Sequence, residues 1–236
     1  MRLNQKSLEK DQLKVDKLMK PYQGKLVSEL KRGFLQNYSQ DTKASFAVLA
    51  RRMFGISDNH LSLDSSEKPL ILKTIRVTGN DQPAENMSFF EVRFDEWLEA
   101  DSWHETMLYQ YFYDTQFVFQ VFQQFPSGLR VPDNQMTFKR ALVWQMPDYD
   151  LEHGLKKLWL DTCHLIKTNQ IRIVPKKQKT GKIIYRNNLP KSKDNTVCHL
   201  RPGGKNGKDV IMLPSGQEIA RQRLWLNKQY VNDVIL

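Results

Sequence analysis

Cysteine is nearly absent from this chain of 236 residues, which holds only Cys163 and Cys198. Two thiols cannot make a disulfide framework, so a buried core must hold the fold, and the expected setting is reducing and cytoplasmic. There is no run of 18 apolar residues and no charged-then-apolar leader, so a membrane partner is not expected. The glycines form no phosphate-cradling fingerprint. Metal ligands at chelating spacing are also lacking. Cys163-His164 and Cys198-His199 look like halves of a zinc site, but adjacent side chains on a helix or strand diverge and cannot readily hold one ion. His60, His104 and His153 stand in polar surroundings without a nucleophile at a fitting distance in sequence.

Core-forming residues are plentiful. With 40% hydrophobic residues, 12 Phe, 8 Tyr and 5 Trp, the chain can bury one substantial core, which predicts a single domain over 1–236, at most two-lobed. Acidic charge is scarce in one window. Arg172, Lys176, Lys177, Lys179, Lys182, Arg186, Lys191, Lys193, Arg201, Lys205 and Lys208 face the single acid Asp194, so this stretch carries the whole net charge of +10. A basic surface on an otherwise balanced protein is the footprint of a polyanion site, because each neutralised phosphate releases counterions. A solvated lysine-rich loop and an acidic membrane surface are the alternatives.

The apolar period divides the chain into a helical part, 1–60, and a mixed α/β part, 61–236. Tyr22, Leu26, Leu30 and Phe34 recur every four residues behind Pro21, which predicts one helix. Signals at 39–41 start a second, which Gly55 should end. After Asn59 the period becomes two. Ile71–Val77, Phe89–Phe94, Phe117–Phe122, Ala141–Met146, Ile171–Val174, Val197–Leu200 and Val210–Leu213 read as strands. Helices are expected over Asp95–Phe112 and from Asp148 to about Thr168, and the basic stretch Pro175–Asp194 reads as a long hairpin or loop. Leu224-Trp225-Leu226 is a short extended run, with Asn227 as cap of a last helix.

A mixed sheet with flanking helices and a basic tract invites a search for the nuclease centre Asp-x(n)-Glu-x-Lys. Its two carboxylates hold Mg²⁺ against the scissile phosphate, and the Lys, on the same strand face, orients the attacking water. Asp64 and Lys73 are suitably placed, but the position two before Lys73 is Ile71. One carboxylate beside a lysine does not make an ordinary Mg²⁺ site, so the expected cofactor is none. A Mg²⁺-dependent nuclease would need a displaced acid, Glu67 or Glu91, the latter preceded by Asp81 and Glu85. The strongest binding motif is Cys198 to Lys205. A strand delivers Arg201, Pro202 stops the strand, and Gly203 and Gly204 allow close backbone approach; an arginine so held suits a bidentate contact to guanine.

At these residues the chain resembles the family of the MutH mismatch-repair nicking enzyme and the Sau-three-A-I type of restriction endonuclease. The segments that carry it are Leu70–Ile75, Asn86–Phe89, Met146 through Thr162, Asn187-Asn188, Cys198–Pro202 and Leu224–Tyr230. The resemblance implies a MutH-like α/β fold, a mixed sheet with flanking helices and two lobes about a DNA cleft, and GATC as the recognised sequence. It is closest to the C-terminal half of the restriction enzyme, which lacks the catalytic centre, binds a second site and stimulates cutting by a catalytic nuclease half. The family's base-reading Arg-Pro then falls on Arg201-Pro202, followed by Gly203 where MutH has Lys, and its aromatic contact falls on Trp225 in place of Tyr. The implied DNA-binding set is Arg201, Pro202, Gly203, Lys205 and Trp225 with Lys176, Lys177, Lys179, Lys182 and Arg186.

Overall fold

The computed structural model describes residues 5–35, 43–125, 131–181, 183–204 and 209–236. Its chain falls into two compact units, the first made of Met1–Glu85, Phe112–Met146 and Val231–Leu236, the second of Asn86–Tyr111 and Pro147–Tyr230. Among the described residues no helix is long and apolar enough to cross a membrane.

The first unit is a four-stranded mixed sheet with helices against it. Strands β1 (His60–Leu61), β2 (Leu70–Val77), β4 (Gln116–Gln124) and β5 (Met136–Trp144) lie in that order. β2 and β4 run parallel, and the outer pairings are antiparallel. β4 is buried on both faces from Gln116 to Phe122, as the run Phe117–Phe119, Val121 and Phe122 favours in a central strand, with the buried Gln120 donating to the Ala50 carbonyl at 3.1 Å. One face of the sheet packs against helices α1 (Gln5–Met19), α2 (Val27–Phe34) and α3 (Lys43–Met53), through Val15, Met19, Val27, Leu30 and Leu49 on Leu70, Leu72, Val118 and Phe138. α1 also protects the sheet edge. Gln12 donates to the Ala141 carbonyl at 3.0 Å and accepts from the Val143 N–H at 2.7 Å, satisfying β5 groups that would otherwise invite another strand.

The helix expected over 22–34 starts late. Pro21 lies in a short 3₁₀ turn, Lys20–Tyr22, and the chain then extends along β5, where the Gly24 N–H reaches the Phe138 carbonyl at 2.8 Å and the Phe138 N–H reaches Lys25 at 3.0 Å. Strand-like bonds to β5 replace the first helical turn, so α2 begins at Val27. The start signal at 39–41 lies outside the described residues. Gly55 does end α3: its φ is +72°, and the Ile56 N–H closes back on the Arg51 carbonyl at 3.1 Å.

In the second unit, β3 (Met87–Glu91), β11 (Gln222–Leu226) and β8 (Cys198–Pro202) form an antiparallel sheet in the order β3-β11-β8. Helices α4 (Phe94–Glu99), α5 (Met107–Tyr113, its last two residues in the first unit), α6 (Asp148–Asp150) and α7 (Lys156–Lys167, joined to α6 by a π turn) accompany it. Two hairpins complete the unit, β6 (Ile173–Lys177) with β7 (Ile183–Asn187), and β9 (Val210–Met212) with β10 (Glu218–Ala220). The helix expected over 95–112 is broken. Trp103, buried in a 3₁₀ turn, donates its indole N–H to Glu152 at 3.1 Å, and Thr106 then accepts from the Tyr109 N–H at 3.0 Å as N-cap of α5. Burying that indole outweighs helix continuity. Phe94, read as the end of a strand, instead opens α4. Lys228–Tyr230 form α8 and pass into a π turn, Val231–Ile235, just past Asn227.

Candidate nucleic-acid interface

β8 and β11 build the site. Their register sets His199 opposite Trp225 and Arg201 opposite Arg223, so these four side chains share one sheet face. The other face carries Cys198, Leu200, Leu224 and Leu226 into the core. Arg201 and Pro202 are exposed at the strand end. The Arg201 guanidinium lies over the half-buried Trp225 ring, 5.2 Å from its centroid, a cation–π contact that restricts the arginine without neutralising it. No carboxylate among the described residues lies in ion-pair range of Arg201. Two arginines directly across a ladder repel, so an anion placed between them would be attracted by both.

A polar network under β8 holds this strand. His199 Nδ1 is 2.6 Å from Asn227 Oδ1, Asn227 Nδ2 donates to the Asn195 carbonyl at 2.5 Å, and Asn195 Oδ1 accepts from the Val197 and Cys198 amides. Asn195 Nδ2 also reaches the Gly154 carbonyl at 2.8 Å. Burial holds the His199 ring below its ordinary pKa, aided by the nearby charges of Arg201 and Lys191, so it is neutral and acts as a hydrogen-bonding partner. The two cysteines have separate core positions. Burial raises the Cys163 thiol to about 11, and that of the fully buried Cys198 is raised as well. Cys198 and His199 face opposite ways on β8. Among the described residues no group of three or more His, Cys, Asp or Glu could hold a metal.

The glycines after Pro202 approach this chain's own side chains. A Cβ on Gly203 would run into the Arg223 side chain, and one on Gly204 into Asp209. The Gly203 N–H bonds to the Arg221 carbonyl at 3.0 Å, which ties the strand end to the residue before β11. Lys205 and Lys208 lie outside the described residues, as does Lys182.

The β6–β7 hairpin presents the next cations. Lys176, Lys177, Lys179 and Arg186 are all exposed, and so are Arg172 and Lys193 nearby. Asn188 clamps its base by accepting from the Arg172 N–H at 2.8 Å and donating to the Gln170 carbonyl at 3.0 Å. Buried Ile171 and Leu189 anchor it. The Asn195–Asn227–His199 network and the Asn188 clamp were not recognisable as such in sequence, because each joins residues whose proximity depends on strand register.

The region of the imperfect nuclease motif is in the first unit. Ile71 and Lys73 share a face of β2, beside Phe117 and Phe119 of β4 in parallel register. That face is aromatic: Phe117 stacks on Phe119 at 5.8 Å, and Trp144 lies 5.8 Å from each. Asp64 is exposed in the turn after β1, and Glu67 is exposed beyond it. Glu91, the other candidate acid, is on β3, where it pairs with Arg221 at 2.5 Å; Arg221 also pairs with Asp209 at 2.6 Å. Arg93, two residues after Glu91, is occupied by Asp95 at 2.7 Å. Asp81 and Glu85 pair with Lys139 and Arg76.

No family model matches the sequence. Over 187 residues the chain is 23% identical to the type II restriction enzyme Sau3AI of Staphylococcus aureus, a match covering 69% of this chain and 37% of that enzyme. The likeness is distant and restriction-enzyme-like, and this chain spans little more than a third of the relative's length.

Proposed function

We propose that the chain is a duplex-DNA-binding domain of MutH-like fold, reading GATC as the non-cutting effector part of a cytoplasmic type II restriction system. The observation that carries this reading is Arg201: exposed at a strand end, stacked on Trp225, opposite Arg223 and without a carboxylate partner among the described residues. Such an arginine is pre-positioned for a guanine edge or a phosphate. Pro202 and Gly203 set the strand end, and Trp225 is a positioning residue beneath the guanidinium. Lys176, Lys177, Lys179 and Arg186 supply phosphate contacts, with Lys182 and Lys205 assigned the same role from sequence.

The distant similarity to a type II restriction enzyme supports DNA as partner. Absence of cutting is supported by the residues of β2. Where the nuclease motif requires a second carboxylate there is Ile71, set beside Phe117 and Phe119, and both Glu91 and Arg93 are engaged in ion pairs. A domain so built would need a catalytic partner, a separate subunit or a further part of the same enzyme.

The test is Arg201→Ala against GATC and scrambled duplexes at one fixed salt. Loss of a guanine contact should cost about 1–3 kcal/mol on GATC and leave scrambled DNA nearly unchanged. Lys176→Ala with Lys177→Ala should weaken both duplexes by similar factors, because phosphates carry no sequence. Equal losses for Arg201→Ala on the two duplexes would reduce it to a phosphate contact and end the sequence-reading proposal.

A further inference from the structure

The β6–β7 hairpin is charged in an unusual way for a solvated loop. Among the described residues it pairs with no other strand, and it exposes large apolar side chains beside its cations: Val174 is 58% exposed, Ile183 57% and Tyr185 69%. Its register sorts them only in part. Pro175 lies opposite Tyr185 and Lys177 opposite Ile183, so Pro175, Ile183 and Tyr185 share one face with Ile173, Asn187 and, toward the turn, Lys177. Val174, Lys176, Ile184 and Arg186 form the other. Exposed apolar residues clustered on a projecting ribbon call for an occupant.

Two features select which one. The segment from Ile173 to Asn187 contains no Asp or Glu, so a second copy docked ribbon to ribbon would bring like charges together. Pro175 removes a backbone donor from β6, which disfavours adding a third strand. A polyanion with an apolar interior lining meets both conditions. Two strands lie about 4.8 Å apart and with side chains measure roughly 10–12 Å across. That matches the major groove of B-DNA, about 12 Å wide, and exceeds the minor groove of about 6 Å.

We infer that the β6–β7 ribbon inserts into the major groove of duplex DNA with its Tyr185, Ile183 and Pro175 face against base edges and thymine methyl groups. Lys176 and Arg186, on the opposite face, Lys177, at the turn end of the Tyr185 face, and Lys179, in the turn, reach the phosphates on the rims. This rests on the DNA-binding reading above and adds a second base-facing element to Arg201, one that uses apolar contact in place of hydrogen bonds.

The test compares the full chain with Tyr185→Ser and Ile183→Ser on two duplexes of one sequence, one with thymine and one with uracil throughout, uracil lacking only the methyl group. The unaltered chain should bind the uracil duplex several-fold more weakly. Each variant should lose roughly tenfold on the thymine duplex, be indifferent to the methyl group and keep the same salt slope. Both side chains are more than half exposed, and circular dichroism checks that the variants fold. Variants that bind like the unaltered chain, or an unaltered chain blind to the methyl, would overturn the inference while leaving DNA binding intact. Variants that change only self-association would show the face to be a contact between copies. If the unaltered chain bound neither duplex in a salt-dependent way, the DNA-binding reading itself would fall, and the ribbon with it.

Discussion

The salt dependence of binding follows from which cations are exposed. Arg172, Lys176, Lys177, Lys179, Arg186 and Lys193 are exposed members of the basic tract. Lys191 is different, since it is half-buried, bonded to Asn187 at 2.6 Å and held below its usual pKa by desolvation. Counting those six as phosphate contacts, the slope of log K against log salt should be roughly −5 at 0.9 per phosphate. Raising salt from 50 to 200 mM would then cost about three decades in affinity. Replacing Lys176 and Lys177 by Ala removes two contacts, which should flatten the slope by about 1.8 and, at 0.1 M salt, weaken binding roughly 60-fold. Fluorescence anisotropy with a labelled duplex, titrated at five or six salt concentrations, measures both quantities. Both lysines are exposed, so their loss should leave the melting temperature unchanged and separate binding from folding. A slope near zero would remove DNA as the partner. A double variant with an undiminished slope would show that Lys176 and Lys177 do not touch phosphate, whatever the rest of the surface does.

Ile71→Glu should not produce a nuclease: the new carboxylate would enter a strand face lined by Phe117 and Phe119, with Asp64 exposed in a separate turn, and no surrounding shell to orient a metal. Supercoiled GATC plasmid with Mg²⁺ should stay intact with this variant and with the unaltered chain, and cleavage lost on Asp64→Ala or Glu91→Ala would refute the reading of this centre. Folding stability should fall in mild acid because of His199, whose pKa is lowered below 6.5 in the folded chain. The unfolded chain takes up the proton first, so the stability present above pH 6.5 is lost as the pH falls toward the folded value, by up to about 1.4 kcal/mol per pH unit. Melting from pH 7.5 to 5 should therefore decline less in His199→Gln, and parallel curves would show that this ring is not responsible.

Sequence reasoning reached furthest where one residue's own chemistry decides the outcome. A strand rich in Phe and Val made β4 buried, Gly55 ended α3 because only glycine enters its left-handed conformation cheaply, and Pro202 marked the end of β8. That Ile71 stands where the nuclease motif has a carboxylate was legible for the same reason, since an isoleucine cannot ligate a metal in any fold.

Other features depended on register and on burial of remote partners. Nothing local places Trp225 under Arg201, or Arg223 against Gly203; both follow from the pairing of β8 with β11. Glu91 looked available as an acid until β11 followed Arg221 to its side. The helical period through Tyr22 and Leu26 gave way to hydrogen bonds with Phe138, more than a hundred residues away, and the one through 100–106 to burial of Trp103. Local propensities differ by tenths of a kcal/mol per residue, whereas a buried indole or an unmet backbone group is worth one or more. The tertiary structure therefore decided which side chains share the candidate interface, while the sequence alone determined which of them carry charge.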